Sequence, residues 1–457
     1  MATISETIAE WIEKTGYNRL PDEVVHTAKK NILDFIGTTL AGSREPVAGV
    51  VERYIREMAG PEQATVVGLG IKASLADAAL ANGTLGHYLD FDDLVVPMDG
   101  AGGPHITAAI LPAALAMAEK KGSSGRQLIE AYVLGCELTY RVGRSVDPTH
   151  YNSGWHTTGT EGIFGAVVAV SKLLGLRAEQ IVYTLGIAAS EASGLRENFG
   201  TMTKPFHAGQ ASAKGLRAAL LAQCGFTSSK TIFEGKDGFC RVFSKDPKIE
   251  EITNHLDQFD CLPQIRLKLY PCCAASHSAI YATLVLAREH DLKGEEVESI
   301  DVKGDPQMTV VLIYDRPRNA LEGKFSVQYP LALAVAEKKV VLADFTDEKM
   351  RERAIKELMS KIRLIPFAEL RCTHPHSRAS IVEINLKGGG QLVNRCDFPP
   401  GTPENPISSE DVLEKYRSCA GLVLKEREVE ESVAMIMGLE SVEKIENLTR
   451  LISGRSG

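Results

Sequence analysis

Residues 106–121 read ITAAILPAALAMAEKK, from Ile106 to Lys121. Apolar side chains fill nearly every position before the closing Glu-Lys-Lys, so this segment has no polar face to turn toward water. A helix that is apolar on most sides is buried on most sides. It is then either a membrane span or the centre of a helical bundle. The apolar run from Ile106 to Ala118 is too short for a bilayer and contains Pro112. The bundle reading follows, and the many alanines let neighbouring helix axes approach closely.

The same texture extends outward. Residues 24–41, opened by Pro21-Asp22-Glu23 and stopped by Gly42, have apolar residues at helical spacing. So do 74–89, 127–142, 161–174, 178–193 and 209–223, several of them rich in Ala and Gly. No fixed period links them, which excludes a repeat array. The pattern changes near Leu262. Segments 297–302, 309–313 and 380–386 are β-branched and alternate. Lys387-Gly388-Gly389-Gly390-Gln391 reads as a hairpin turn before Leu392-Val393. Helices are expected at 327–338 and 347–361. Pro399-Pro400-Gly401-Thr402-Pro403 reads as a linker, and helical pattern returns over 409–451. The expected fold is mainly α: a large all-helical domain formed by residues 1–265 and 400–457, with a smaller α+β lid domain, 266–399, inserted between its parts.

Composition narrows the function. The 457 residues are 44% hydrophobic and 24% charged, ordinary for a large apolar core. A formal net charge of -8 argues against a nucleic-acid surface. The N-terminal Met1-Ala2-Thr3-Ile4-Ser5-Glu6 opens an acidic amphipathic helix, not a secretory leader. Nine scattered cysteines include no CxxC pair, so no zinc or iron–sulfur spacing is visible, and a cytoplasmic protein with reduced thiols is expected. Gly68-Leu69-Gly70 lacks the third glycine of a nucleotide loop. No cofactor and no metal are expected.

Four segments start a helix beside a group that transfers protons or binds anions: Pro104-His105-Ile106-Thr107, Trp155-His156-Thr157-Thr158, Thr203-Lys204-Pro205-Phe206-His207, and Tyr270-Pro271-Cys272-Cys273 running to His277. Helix N-termini carry unpaired N–H groups and partial positive charge. Together they read as a pocket for a small di- or tricarboxylate. Gly86-His87-Tyr88-Leu89-Asp90-Phe91-Asp92-Asp93 supplies carboxylates for proton transfer. The helix ending near Asp90 has a negative dipole end, which favours a protonated or more basic carboxyl. Asp93 shares that face if the helix continues. Thr158-Gly159-Thr160-Glu161 fits a capping box after His156. His87, three residues before Asp90, is placed to orient it. Arg196 is a weaker second anion contact. His374-Pro375-His376 reads as a polar loop, and Cys272 and Cys273 as small packed residues.

These strings, above all HYLDFDD, GWHTTGTEGIFGAV, TKPFHAGQASAKG, FEGKDGF and KLYPCCAASHS, resemble the MmgE/PrpD family nearly end to end. The resemblance implies a helical domain plus lid with the active site between them, a homodimer, and cofactor-independent chemistry. It marks Asp90 as the catalytic aspartate and His277 and Tyr329 as positions that line the pocket, His277 being taken as catalytic and Tyr329 as substrate-binding or a packed aromatic. From the residues themselves, His105 and His156 are the candidate acid–base groups, since His titrates near working pH, and Lys204, with His207 and His87, is expected to bind substrate. The expected reaction is dehydration of a 2-methylcitrate-like tricarboxylate. Epimerisation of an iminodisuccinate-like acid and decarboxylation of a cis-aconitate-like acid are alternatives on the same scaffold, and a non-catalytic helical binding protein is a further one. One stretch departs from the family pattern. Residues 94–104 form a long Gly-rich loop, and Leu94 stands where relatives carry a polar group, which weighs against decarboxylation.

Overall fold

The computed structural model describes residues 2–97, 102–370 and 379–454. They are mainly helical, with a small mixed sheet in the C-terminal region. Two compact units form: Met1–Glu197 with Met202–Leu267 and Ser408–Gly457, and Lys268–Ile407 with Asn198–Thr201. No helix among the described residues is long and apolar enough to cross a membrane.

In the first unit, the helix Ile106–Lys121 is buried through Glu119. Helices Leu75–Tyr88, Gly125–Val146, Gly162–Leu174 and Thr203–Gln223 pack around it. Pro112 sits inside it, where a proline disturbs backbone bonding. The neighbouring donor, Ala113 N–H, is taken by Ser212 Oγ of the Thr203–Gln223 helix at 2.8 Å. That helix crosses Leu75–Tyr88 at two glycines. A Cβ on Gly83 would lie 2.7 Å from Gly209 Cα, and one on Gly209 only 2.2 Å from the Leu80 carbonyl oxygen. This close crossing sets the distance between the turn after Tyr88 and the start of the other helix. The latter begins at Thr203 rather than near 209, so Lys204 and His207 lie inside its first two turns.

An antiparallel hairpin, Ala64–Val66 with Ile71–Ala73, lay outside the sequence expectations. Its turn is Gly68-Leu69-Gly70, with both glycines at positive φ. From the C-terminal segment, Ser409–Ala420 packs on Asp22–Gly42.

The second unit holds a four-stranded sheet in the order Ile362–Pro366, Val297–Gly304, Ser380–Leu386, Gln391–Cys396. The first pair is parallel and the others antiparallel. Ile300, Val302, Val382 and Ile384 are fully buried in a core shared with His277–Glu289 and Gln328–Glu337. Two expectations fail here. Residues 309–313 form no strand, because a helical turn Met308–Val311 starts after Asp305, whose carboxylate accepts the Gln307 N–H at 2.7 Å. The single helix expected over 347–361 breaks at Glu352, which is extended, into Asp347–Arg351 and Arg353–Met359. The edge strand Ile362–Pro366 then follows.

Candidate active site

Ser74 caps the Leu75–Tyr88 helix by accepting the Asp77 N–H at 3.2 Å. The helix does not continue through the acidic run. The chain reverses at Asp90, whose φ of 50° is left-handed, and Asp90 N–H donates to His87 O at 3.1 Å. Aspartate tolerates this region better than most residues. The turn is held from a distant part of the chain. Lys415 Nζ donates to Phe91 O at 2.6 Å, lies 3.9 Å from the Phe91 ring centre, and pairs with Asp34 at 2.7 Å. The reversal sends Asp90, Asp92 and Asp93 in different directions, so Asp90 and Asp93 do not share a helix face.

Asp90 meets Lys204, with Nζ 2.5 Å from Oδ1 and both groups buried. His105 joins them: its Nε2 is 3.5 Å from Asp90 Oδ1 and 3.5 Å from Lys204 Nζ. Its other nitrogen, Nδ1, is 3.1 Å from Asp92 Oδ2. Asp92 also takes His87 Nδ1, at 2.9 and 3.0 Å from its two oxygens. His87 therefore orients toward Asp92 and not toward Asp90. Burial pushes the Asp92 carboxyl up, but the two imidazoles outweigh it and hold the group well below the ordinary carboxylate value. Burial also lowers His87, against the pull of Asp92.

Asp93 faces elsewhere. It accepts the Thr107 N–H at 3.2 Å and the Thr107 hydroxyl, which lies 2.5 Å from Tyr132 OH. The protein's own carboxyl thus takes one of the backbone donors at the start of the Ile106–Lys121 helix. Burial pushes Asp93 up to about 8.

His105 and His156 each sit at a helix N-cap. The capping box expected after His156 is absent. Thr158 Oγ1 instead accepts the His105 N–H at 3.0 Å, tying the two histidine segments together. The helix it opens, Thr157–Thr160, is a single turn. His156 N–H donates to Gly194 O at 3.0 Å, and its Nδ1 lies 2.9 Å from Nδ1 of His207. One ring must donate and the other accept. Burial, then each other's proximity and Lys204, hold His156 well below its ordinary value; burial brings His207 to about 4. Both are neutral at pH 7. The Arg196 guanidinium lies 4.3 Å over the Tyr151 ring.

Sequence reasoning missed another buried group. Asp147 and Glu161 are both buried, and burial raises both, so the pair keeps a proton near neutral pH. His150 Nε2 is 4.0 Å from Glu161.

His277 and Tyr329 belong to the second unit. His277 Nε2 is 3.2 Å from Cys272 O, and its ring stands edge-on to Tyr270 at 5.0 Å. Tyr329 is fully buried, donates its hydroxyl to Asp344 O, and packs edge-on against Phe345, the surroundings of a core tyrosine. His374 and His376 lie outside the described residues.

The ligand atoms of His87, Asp90, Asp92 and His105 lie within 4.8 Å of one another, close enough to share a cation. Lys204 already brings a positive charge to Asp90, and both Nδ1 atoms face Asp92. The arrangement is a buried polar network: a carboxylate–ammonium pair, a histidine bridging it to a second carboxylate, and a neutral histidine pair beside them.

The profile of the MmgE/PrpD N-terminal domain matches residues 6–252, and that of the C-terminal domain matches 270–440. Cis-aconitate decarboxylase of Aspergillus terreus is 27% identical over 98% of this chain and 96% of its own length. The enzyme of that name from Mus musculus is 27% identical over 100% of this chain and 94% of its own length. 2-Methylcitrate dehydratase of Salmonella typhimurium is 22% identical over 74% of this chain and 72% of its own length. With both domain profiles matched in order along it, the chain belongs to the MmgE/PrpD family.

Proposed function

We propose that the protein is a cofactor-independent lyase that decarboxylates an unsaturated tricarboxylate of the cis-aconitate kind. The observation that carries this is the buried Asp90–Lys204–His105 cluster in a chain that is alike, over nearly its whole length, to enzymes named for that reaction.

In such a reaction one carboxylate leaves as CO2. The electron pair of the broken C–C bond passes into the neighbouring unsaturated carboxylate as a dienolate, and a proton is then delivered to carbon. Lys204 supplies a fixed, buried positive charge. It stands against Asp90, so a substrate carboxylate shares that ammonium and the developing dienolate is stabilised by it. His105, with Nε2 at equal distances from Asp90 and Lys204, is the residue we assign to proton delivery. His156, neutral and paired with His207, is the second candidate. Acid–base assistance of this kind is worth about 10²–10⁴-fold per group. His277 and Tyr329, in the second unit, take no step in this reading.

Dehydration of a 2-methylcitrate-like acid is the second reading. Leu94 favours it: this buried side chain follows the acidic turn directly, held by paired backbone bonds to Arg266 of 3.1 and 2.8 Å. There Asp90 or His105 removes a proton alpha to a carboxylate while a protonated group assists the departing hydroxyl. The test is incubation of the purified protein with a panel of di- and tricarboxylates in deuterated water, followed by proton NMR. CO2 loss from cis-aconitate with deuterium entering the product supports the first reading. Hydration or dehydration without CO2 loss selects the second, and inertness toward every acid rejects both.

A further inference from the structure

Asp92 lies in the middle of the acidic turn and, unlike Asp90, touches no ammonium in the network described above. Its carboxylate is fully buried and accepts from two imidazoles at once, His87 Nδ1 at 2.9 Å and His105 Nδ1 at 3.1 Å. A carboxylate has lone pairs and no hydrogen to give. Both Nδ1 atoms must therefore carry hydrogens. In a neutral ring the lone pair then resides on Nε2, the atom that His105 presents to Asp90 and Lys204 at 3.5 Å. The His87 ring centre lies 4.1 Å from that of His105, with the two planes tilted by 52°. The charged and titratable groups near His105 include Asp90, Asp92, Lys204, His87 and His156.

We propose that Asp92 is the positioning residue of this site: it locks His87 and His105 as Nδ1–H tautomers, so that His105 works through Nε2. The inference rests on the proposed proton-transfer role of His105 and adds to it a tautomer, an acting atom and a residue that sets both. A backbone carbonyl orients a ring equally well, but only an anion also favours the imidazolium that forms when Nε2 takes a proton. Asparagine at 92 offers one oxygen and one NH2, so it satisfies one ring as an acceptor and faces the other with a donor.

The experiment uses the full-length protein with 15N-labelled histidine, read by long-range proton–nitrogen NMR at neutral pH. Signals are assigned with His87→Gln and His105→Gln. Expected are Nδ1–H tautomers at both positions in the parent protein. In Asp92→Asn, one of the two rings flips to Nε2–H. Turnover should fall about 100-fold or more, with KM changed less than about threefold. The alkaline limb of the kcat profile should move to lower pH, because the anion that favours the proton-delivering imidazolium of His105 is gone. Asp92→Glu should recover part of kcat and restore the limb. An Nε2–H tautomer at His105 in the parent protein overturns the proposal even if Asp92→Asn fails to fold. Unchanged kcat and unchanged pH limbs in a folded Asp92→Asn overturn it too. The tautomer measurement needs no substrate. A parent protein that turns over no tricarboxylate therefore counts against the proposed function, and the ring assignment is decided separately.

Discussion

Three aspartates in four residues take three environments, and these separate their roles. Asp90 is paired with a buried ammonium, Asp92 with two imidazoles, and Asp93 with Thr107. The acidic run and its histidines were legible as groups that belong together. Their division of labour was not, because it depends on one left-handed residue, Asp90, that ends the helical register. Two predictions belong here. Lys204→Ala leaves Asp90 a buried carboxylate without its ammonium, which costs about 3–5 kcal/mol. A drop in Tm is expected, together with raised KM and lowered kcat, and adding Asp90→Asn should recover part of the Tm. Unchanged kinetics would remove Lys204 from the site. The second concerns Asp93. Its folded pKa of about 8 stands above the ordinary carboxylate value of 3.8. The folded state therefore holds a proton that the unfolded state releases. This contribution to stability is fully present below about pH 4 and is lost as pH rises toward 8. Asp93→Asn, which mimics the protonated acid, should flatten the fall in Tm between pH 5 and pH 8. Asp147 and Glu161 act with the same sign, so some slope remains. Equal slopes in both proteins would mean that Asp93 is ionised in the fold.

At the scale of elements, most of the helices were readable because packing and periodicity agree in them. The bounds of Ile106–Lys121 follow directly from its apolar pattern and its Lys-Lys-Gly ending. Failures fell where short apolar runs fit either structure, as at 309–313, and where the decisive partner is remote in sequence. Lys415 lies 324 residues from the carbonyl it holds, and nothing in its own neighbourhood marks it. The Gly83–Gly209 crossing makes the dependence of the site on packing testable. Gly209→Ala puts a methyl 2.2 Å from Leu80 O, against rigid backbone. Overpacking of this kind costs about 1–3 kcal/mol. It should also separate Asp90 from Lys204, so kcat should fall more than the loss of folded protein explains. Gly388→Ala, in open space at the second unit's hairpin, is the control and should change neither. Full activity in Gly209→Ala would show that the crossing does not set the site.

For the whole molecule, the family was legible because its strings run the length of the chain, whereas the reaction was not. Decarboxylation, dehydration and epimerisation all pass through a related carbanion beside a carboxylate and call on the same residue types. Sequence reading favoured dehydration. The likeness to cis-aconitate decarboxylases over the full chain shifts the weight to decarboxylation, and Leu94 is the residue that opposes it. In the proposed function Lys204 supplies the positive charge for either reaction. Exhaustive dialysis against a chelator should therefore leave activity intact, while a loss restored by a divalent metal would reassign the His87–Asp90–Asp92–His105 group as its ligands.

In the proposed function the Asp90-centred network moves a proton at a carbon beside a substrate carboxylate. Comparing the parent protein, Asp90→Asn and Asp93→Asn on the active tricarboxylate in deuterated water, by proton NMR, tests it most directly. Asp90→Asn is expected to bind the acid still but to lose both turnover and deuterium incorporation, while Asp93→Asn keeps most of both. An active Asp90→Asn beside an inactive Asp93→Asn would contradict it.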